Sequence, residues 1–158
     1  MKVFCTALLS GKFLPTRCAH RGVKGGENVS PPVAWTDVPP GTQSFVLTIF
    51  DRHPVAHNWL HWCIINLPAS VRELAEGASG ARERLPQGSL EIRNSFGDAG
   101  YGGPRPPRQS GPHNYEITVY ALSAPSLPLG PLASSQECLD AIKRHTLGHA
   151  TVVGVFEQ

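Results

Sequence analysis

Two stretches constrain this chain more than any others. Ser44–Phe50 (SFVLTIF) and Leu60–Leu67 (LHWCIINL) are nearly unbroken runs of β-branched, aromatic and other apolar residues. Runs of that length and composition read as central strands buried on both faces of a sheet. Tyr115–Leu122 (YEITVYAL) instead alternates apolar and polar residues, the period of a strand with two different faces. Val3–Leu9 and Ala150–Phe156 read as the first and last strands. Ser134-Ser135-Gln136-Glu137 has the form of a helix N-cap, and Cys138, Leu139 and Ile142 behind it carry helical spacing. Val71–Gly77 reads as a helical turn, and Ser30–Trp35 as an approach to the turn Val38-Pro39-Pro40-Gly41. Pro15–Pro32 is a long polar loop, and residues 78–112 show almost no regular pattern apart from Gly88–Arg93. The expectation is a mostly β protein with one helix near the C-terminus. So long an irregular stretch is acceptable only if it is a functional loop.

A chain of 158 residues is expected to form a single domain, residues 1–158. Its 41% hydrophobic and 16% charged residues exclude a disordered chain. A net charge of +2, with Arg and Lys scattered, excludes a nucleic-acid-binding surface. No window approaches the ~20 apolar residues of a membrane span, so stable membrane insertion is not expected. The opening MKVFCTALLSGKF has an apolar stretch broken by Lys12 and no small-residue cleavage site behind it. The chain therefore reads as soluble and cytoplasmic. Cys5, Cys18, Cys63 and Cys138 include no C-x-x-C pair, so zinc-ribbon spacing is absent. They read as reduced, mostly buried thiols, and no cofactor or metal is expected.

The chemistry gathers where strands end. Asp51 directly follows SFVLTIF, and His61 sits between Leu60 and Trp62 at the mouth of the second run. His113 and Tyr115 are two apart and so share a face of the strand they open. A carboxylate, two imidazoles and a phenol would make a small polar pocket in which protonated His and the Tyr hydroxyl donate to an anion. Directly before them runs GYGGPRPPRQSGP. Its glycines allow close backbone approach and can offer N–H groups, and its prolines stiffen a wall. Each residue also has a plainer reading. His61 fits a satisfied core histidine, Asp51 a turn acceptor, and Arg105 and Arg108 solvated side chains. His57/His61 and His145/His149 have i,i+4 spacing, but Pro54 and Gly148 argue against a helical metal pair at either place.

Together these segments do point to a family. NVSPPVAW, PPGTQSFVLTIFD, HWCIINLP, NSFGDAGYGGPRPP, GPHNYEITVYAL and GHATVVGVF resemble, in order and over residues 3–156, the phosphatidylethanolamine-binding protein family, nearest its bacterial kinase-inhibitor-like branch. The resemblance implies an antiparallel β-sandwich with a short C-terminal helix. It also implies a pocket for phosphate, other small oxyanions or a phosphoethanolamine headgroup. Carried over, the ligand-binding residues are Asp51, His61, Gly103, Pro104, His113 and Tyr115. The chain departs from the family pattern at Asp51-Arg52-His53-Pro54, which lacks a second Asp, at Asn114, and at Arg105. Arg52, His53 and Arg105 would then make a basic rim that favours a plain anion over a zwitterion.

The resulting expectation is a non-catalytic binding protein for a small anionic or phosphorylated ligand. A kinase or other protein is its modulated partner, and a homodimer is a further expectation from the bacterial relatives. The alternative is a hydrolase, metal-dependent or metal-free, built on Asp51, His61 and His113. Ser95 and Ser110 lie in the neighbouring loop, but neither sits in a G-x-S-x-G elbow.

Overall fold

The computed structural model describes the chain from Met1 to Gln158, Gly11 excepted. In chain order the strands are β1 (Lys2–Phe4), β2 (Val33–Thr36), β3 (Ser44–Asp51), β4 (Trp59–Pro68), β5 (Glu73–Leu74), β6 (Leu90–Glu91), β7 (His113–Leu122) and β8 (Thr146–Phe156). The helix α1 (Ser135–His145) lies between β7 and β8. Every strand pair is antiparallel. The small sheet runs β1-β2-β5 and the large one β6-β4-β3-β7-β8.

Strand β3 explains the apolar runs. It is central in the large sheet and all eight of its residues are buried. Phe45, Leu47 and Ile49 point to one side, where they pack with Val33, Trp35 and Leu74 of the small sheet and with Ile117, Val119 and Ala121 of β7. Val46 and Phe50 point to the other, where they meet Cys63, Ile65 and Leu122 of the sheet and Cys138 and Ile142 of α1. A strand covered by a sheet on one face and a helix on the other has no position left for a polar residue facing water. Helix α1 is fixed at its start by a full capping box. The Ser134 hydroxyl accepts from the Glu137 N–H and the Glu137 carboxylate accepts from the Ser134 N–H. Lys143, Arg144 and His145 in its last turn complement the dipole.

Four expectations change, the first being that β1 covers only Lys2–Phe4 where a strand was expected over Val3–Leu9. Val71–Gly77 holds the short strand β5 in place of a helical turn, because Leu74 is needed under Val33 to close the small sheet. Val33–Thr36, read as an approach to a turn, is the central strand of that sheet. The final strand starts at Thr146, directly at the helix end, and runs for 11 residues. All four cysteines are buried free thiols. Among the described residues, no helix is long and apolar enough to cross a membrane.

Ile64 is fully buried between the sheets. Ile64→Ala is expected to cost about 2–5 kcal/mol, and the exposed capping change Ser134→Ala about 1 kcal/mol. Urea denaturation of both variants checks the ordering. An Ile64 loss no larger than the cap loss would contradict this account of the core.

Candidate anion site

Strand register builds the site. Asp51 ends β3 and is paired directly with Tyr115 of β7 and with Trp59 of β4. Tyr115, His113 and Asp51 all fall on the face that the small sheet covers, since they continue the odd-numbered series of Ile117 and Ile49. His61 reaches the same face by a different device. The β3–β4 register passes from Ile49↔Trp62 to Phe50↔Leu60, so β4 carries one extra residue there, and that residue is His61. The bulge sends Leu60 toward the helix side and Trp62 toward the small sheet, and it swings the imidazole onto Tyr115, with ring centroids 5.1 Å apart.

Hydrogen bonds then fix protonation. Asp51 Oδ2 accepts from His113 Nδ1 at 2.6 Å and Oδ1 accepts from the His53 N–H at 2.9 Å. The Ser110 hydroxyl donates to the Pro107 carbonyl at 2.6 Å, and its oxygen lies 2.9 Å from His113 Nε2. Ser110 has one proton and a carbonyl can only accept, so His113 Nε2–H must be the donor to Ser110. Both His113 nitrogens therefore carry protons, and Asp51 and His113 form an ion pair whose members are 3% and 1% exposed. The His53 ring stacks on His113 at 3.9 Å, and its Nδ1 accepts from the Val55 N–H.

His61 behaves differently. Its Nδ1 donates to the Gly102 carbonyl at 2.5 Å, which leaves Nε2 as a bare lone pair on a neutral ring. Burial, against partial compensation from the Gly102 carbonyl and the Asp51 charge, lowers its pKa to about 4. Tyr115 is buried, and among the described residues its hydroxyl has no hydrogen-bond partner. Burial and the nearby Asp51 carboxylate push that phenol well above its usual pKa, yet no hydrogen bond of ordinary geometry joins the two.

The Gly/Pro stretch is ordered because side chains satisfy its backbone. Asn28 donates to the Tyr101 carbonyl and accepts from the Gly103 N–H at 2.7 Å. Asn94 holds the turn ahead of it through the Gly100 carbonyl and the Phe96 and Asp98 N–H groups. A Cβ on Gly103 would lie 2.2 Å from the Cys18 carbonyl oxygen, so only glycine fits there. The reading that these glycines offer N–H groups to a ligand is corrected: Gly100, Gly102 and Gly103 spend theirs on Ile92, His61 and Asn28. Gly103 and Pro104 stand behind the wall, and Arg105, Pro106 and Pro107 line it.

Asp51, His61, His113 and Tyr115 open onto one cavity of about 360 Å³, rimmed by Val55, Trp59, Phe96 and Arg105. A larger open groove of about 680 Å³, between Phe13 and Phe156, gathers none of the four. The expected basic rim is also corrected. Arg52 turns away to pair with Glu116 at 2.8 Å and lies over the Phe50 ring. His53 stacks over His113, accepts from the Val55 N–H and does not line the cavity. Arg105 remains, and among the described residues it has no carboxylate partner. No group of three His, Cys, Asp or Glu among the described residues is placed to hold a metal ion. Sequence reasoning did not single out Trp59, Phe96 or Asn28, and it considered Ser110 only as a nucleophile without a G-x-S-x-G elbow.

An antiparallel two-sheet fold with this pocket at one sheet end has counterparts among known proteins. The profile of the phosphatidylethanolamine-binding protein family matches residues 6–157. The chain belongs to that family. It is 37% identical to the Escherichia coli K12 protein YbhB over 158 residues, covering 99% of each chain. It is 40% identical over 142 residues to a Methanothermobacter thermautotrophicus relative, covering 90% and 91%. The crystal structure of Escherichia coli YbcL, titled a new member of the mammalian PEBP family, superposes with a TM-score of 0.93 at 32% identity, covering 99% of this chain and 98% of that one.

His61 gives the site a pH signature. Unfolded histidine titrates near 6.5 and the buried ring near 4. Below pH 6.5 the unfolded chain takes up a proton that the folded ring refuses. The stability present above that pH is therefore lost as pH falls toward 4, by about 3 kcal/mol from this group. Denaturation of wild type and His61→Gln across pH 4–7 checks this. The variant should lose that part of the slope, and parallel profiles would contradict a buried neutral His61.

Proposed function

We propose that this chain is a non-catalytic binding protein whose cavity takes a small oxyanion or the phosphate end of a larger ligand. The observation that carries the reading is the Tyr115 hydroxyl, a buried donor without a protein partner on the cavity floor. Buried polar groups are nearly always satisfied, so an orphaned donor in a cavity calls for an acceptor from outside. Arg105 at the mouth supplies an unpaired positive charge. Half-exposed Val55 and partly exposed Trp59 beside it give the rest of an organic ligand an apolar surface. That ligand is a phosphorylated small molecule, a lipid headgroup or a phosphorylated protein segment, and the last would make the chain a modulator of its partner.

Histidine-resolved NMR with phosphate and then O-phosphoethanolamine tests the reading. Saturable shifts of the His61 and His113 signals are expected. Tyr115→Phe should weaken binding by about tenfold, the loss of one hydrogen bond to a charged group, and Arg52→Ala should leave it unchanged. The absence of any shift at millimolar ligand would sink the reading.

One observation favours hydrolysis instead: Ser110, His113 and Asp51 stand in line at 2.9 and 2.6 Å, the order of a nucleophile, base and orienting acid. Against it, His113 already holds the proton a base would need to accept, and the Ser110 hydroxyl is committed to Pro107 and does not line the cavity. Exposure to a fluorophosphonate followed by mass spectrometry is expected to leave Ser110 unmodified. Stoichiometric labelling there, absent in His113→Ala, would establish the hydrolase.

A further inference from the structure

The polar groups of the cavity divide into those already used and those still free. His113 would be the obvious donor to an anion, but its two N–H groups are held by Asp51 and Ser110. Apart from Arg105 at the mouth, the free groups on the floor are two and they differ in kind. Tyr115 offers a donor with no partner. His61 offers Nε2 as an acceptor, because its other nitrogen must carry the proton that the Gly102 carbonyl receives. The Asp51 carboxylate, with each oxygen accepting one hydrogen bond, adds further lone pairs rather than donors.

A fully deprotonated oxyanion has only acceptors. Seated on this floor it would gain one hydrogen bond from Tyr115 and would set an oxygen against the lone pair of His61. An oxyanion that keeps one acidic O–H accepts from Tyr115 and donates to His61 Nε2, and leaves neither group unmatched. Building on the anion-site reading above, we infer that the pair Tyr115 and His61 makes the cavity selective for a protonated phosphate-type oxyanion, phosphate or a phosphate monoester in its monoanionic form, over a fully deprotonated one. His61 is thereby a specificity-determining residue: its tautomer, set by a backbone carbonyl, decides which anion fits.

The charged and titratable groups facing His61 do not reverse the argument. Asp51 comes from β3, His113 and Tyr115 from β7, and Arg105 from the loop wall. Asp51 and His113 offset each other as an ion pair, and Arg105 sits at the mouth. Full burial keeps the ring neutral through the pH range in which phosphate monoesters lose their second proton, about pH 6.

Three probes separate the outcomes: inorganic phosphate, methyl phosphate and sulfate, each titrated by NMR or calorimetry from pH 5 to pH 8. Inorganic phosphate keeps a P–O–H group over the whole range. Methyl phosphate loses its last proton near pH 6, and its monoanion falls to roughly 1% of the total by pH 8. Sulfate has no proton to lose, so its trend reports titration of the protein alone. Relative to sulfate, methyl phosphate binding should weaken by about a hundredfold between pH 5 and pH 8, while inorganic phosphate persists. At any one pH sulfate should bind at least about tenfold more weakly than inorganic phosphate. The ¹⁵N signal of His61 Nε2 should be that of an unprotonated ring nitrogen in the free protein and should move on phosphate binding. Sulfate binding as tight as phosphate, or methyl phosphate tracking sulfate across the pH range, would overturn the selectivity while leaving the anion site intact. No binding by any of the three would remove the site and the selectivity together.

Discussion

The site depends on one contact, the 2.6 Å ion pair between Asp51 and His113. Both residues are buried, and a lone buried charge of either sign would be strongly destabilising. The pair exists because β3 and β7 place Asp51 opposite Tyr115 and His113 one step beyond, on the face that the small sheet covers. Its consequence is that the two most strongly polar groups of the cavity satisfy each other. Ser110 and the His53 backbone complete their hydrogen bonding. What remains facing the cavity is a phenol, an imidazole lone pair and a single arginine at the mouth.

The second constraint is the bulge at His61. A regular β4 would place Leu60 and Trp62 on one face. The extra residue lets them serve different cores and leaves an imidazole to fill the turn between them. Burying that ring neutral makes the fold less stable in mild acid, and leaving the Tyr115 hydroxyl without a partner is a cost at every pH. A core chosen for stability alone would hold neither group. Local departures of this kind concentrate where a chain binds something.

How much of this was legible in the sequence follows from which interactions are local. The apolar run of β3 announced its burial because every residue in it faces one of two cores. The capping box and the helix behind Ser134 were readable for the same reason: their contacts span only a few residues. Short strands escaped. Nothing in Glu73-Leu74 or Val33–Thr36 marks a strand until the two are brought together. At the site, residue types at strand ends located Asp51, His61, His113 and Tyr115, whereas their use of protons could not be read. That Arg52 would pair with Glu116 and leave the rim depends on a neighbour 64 residues away. The glycine N–H groups were misread for a related reason, since Asn28, which claims one of them, lies 75 residues upstream.

The decisive experiment is a crystal structure of the protein with inorganic phosphate. Phosphate is expected on the cavity floor, with oxygens within hydrogen-bond distance of the Tyr115 hydroxyl and of His61 Nε2, and with the Asp51–His113 pair unbroken. A phosphate bound elsewhere, or one that enters only by pulling His113 away from Asp51, would contradict this arrangement.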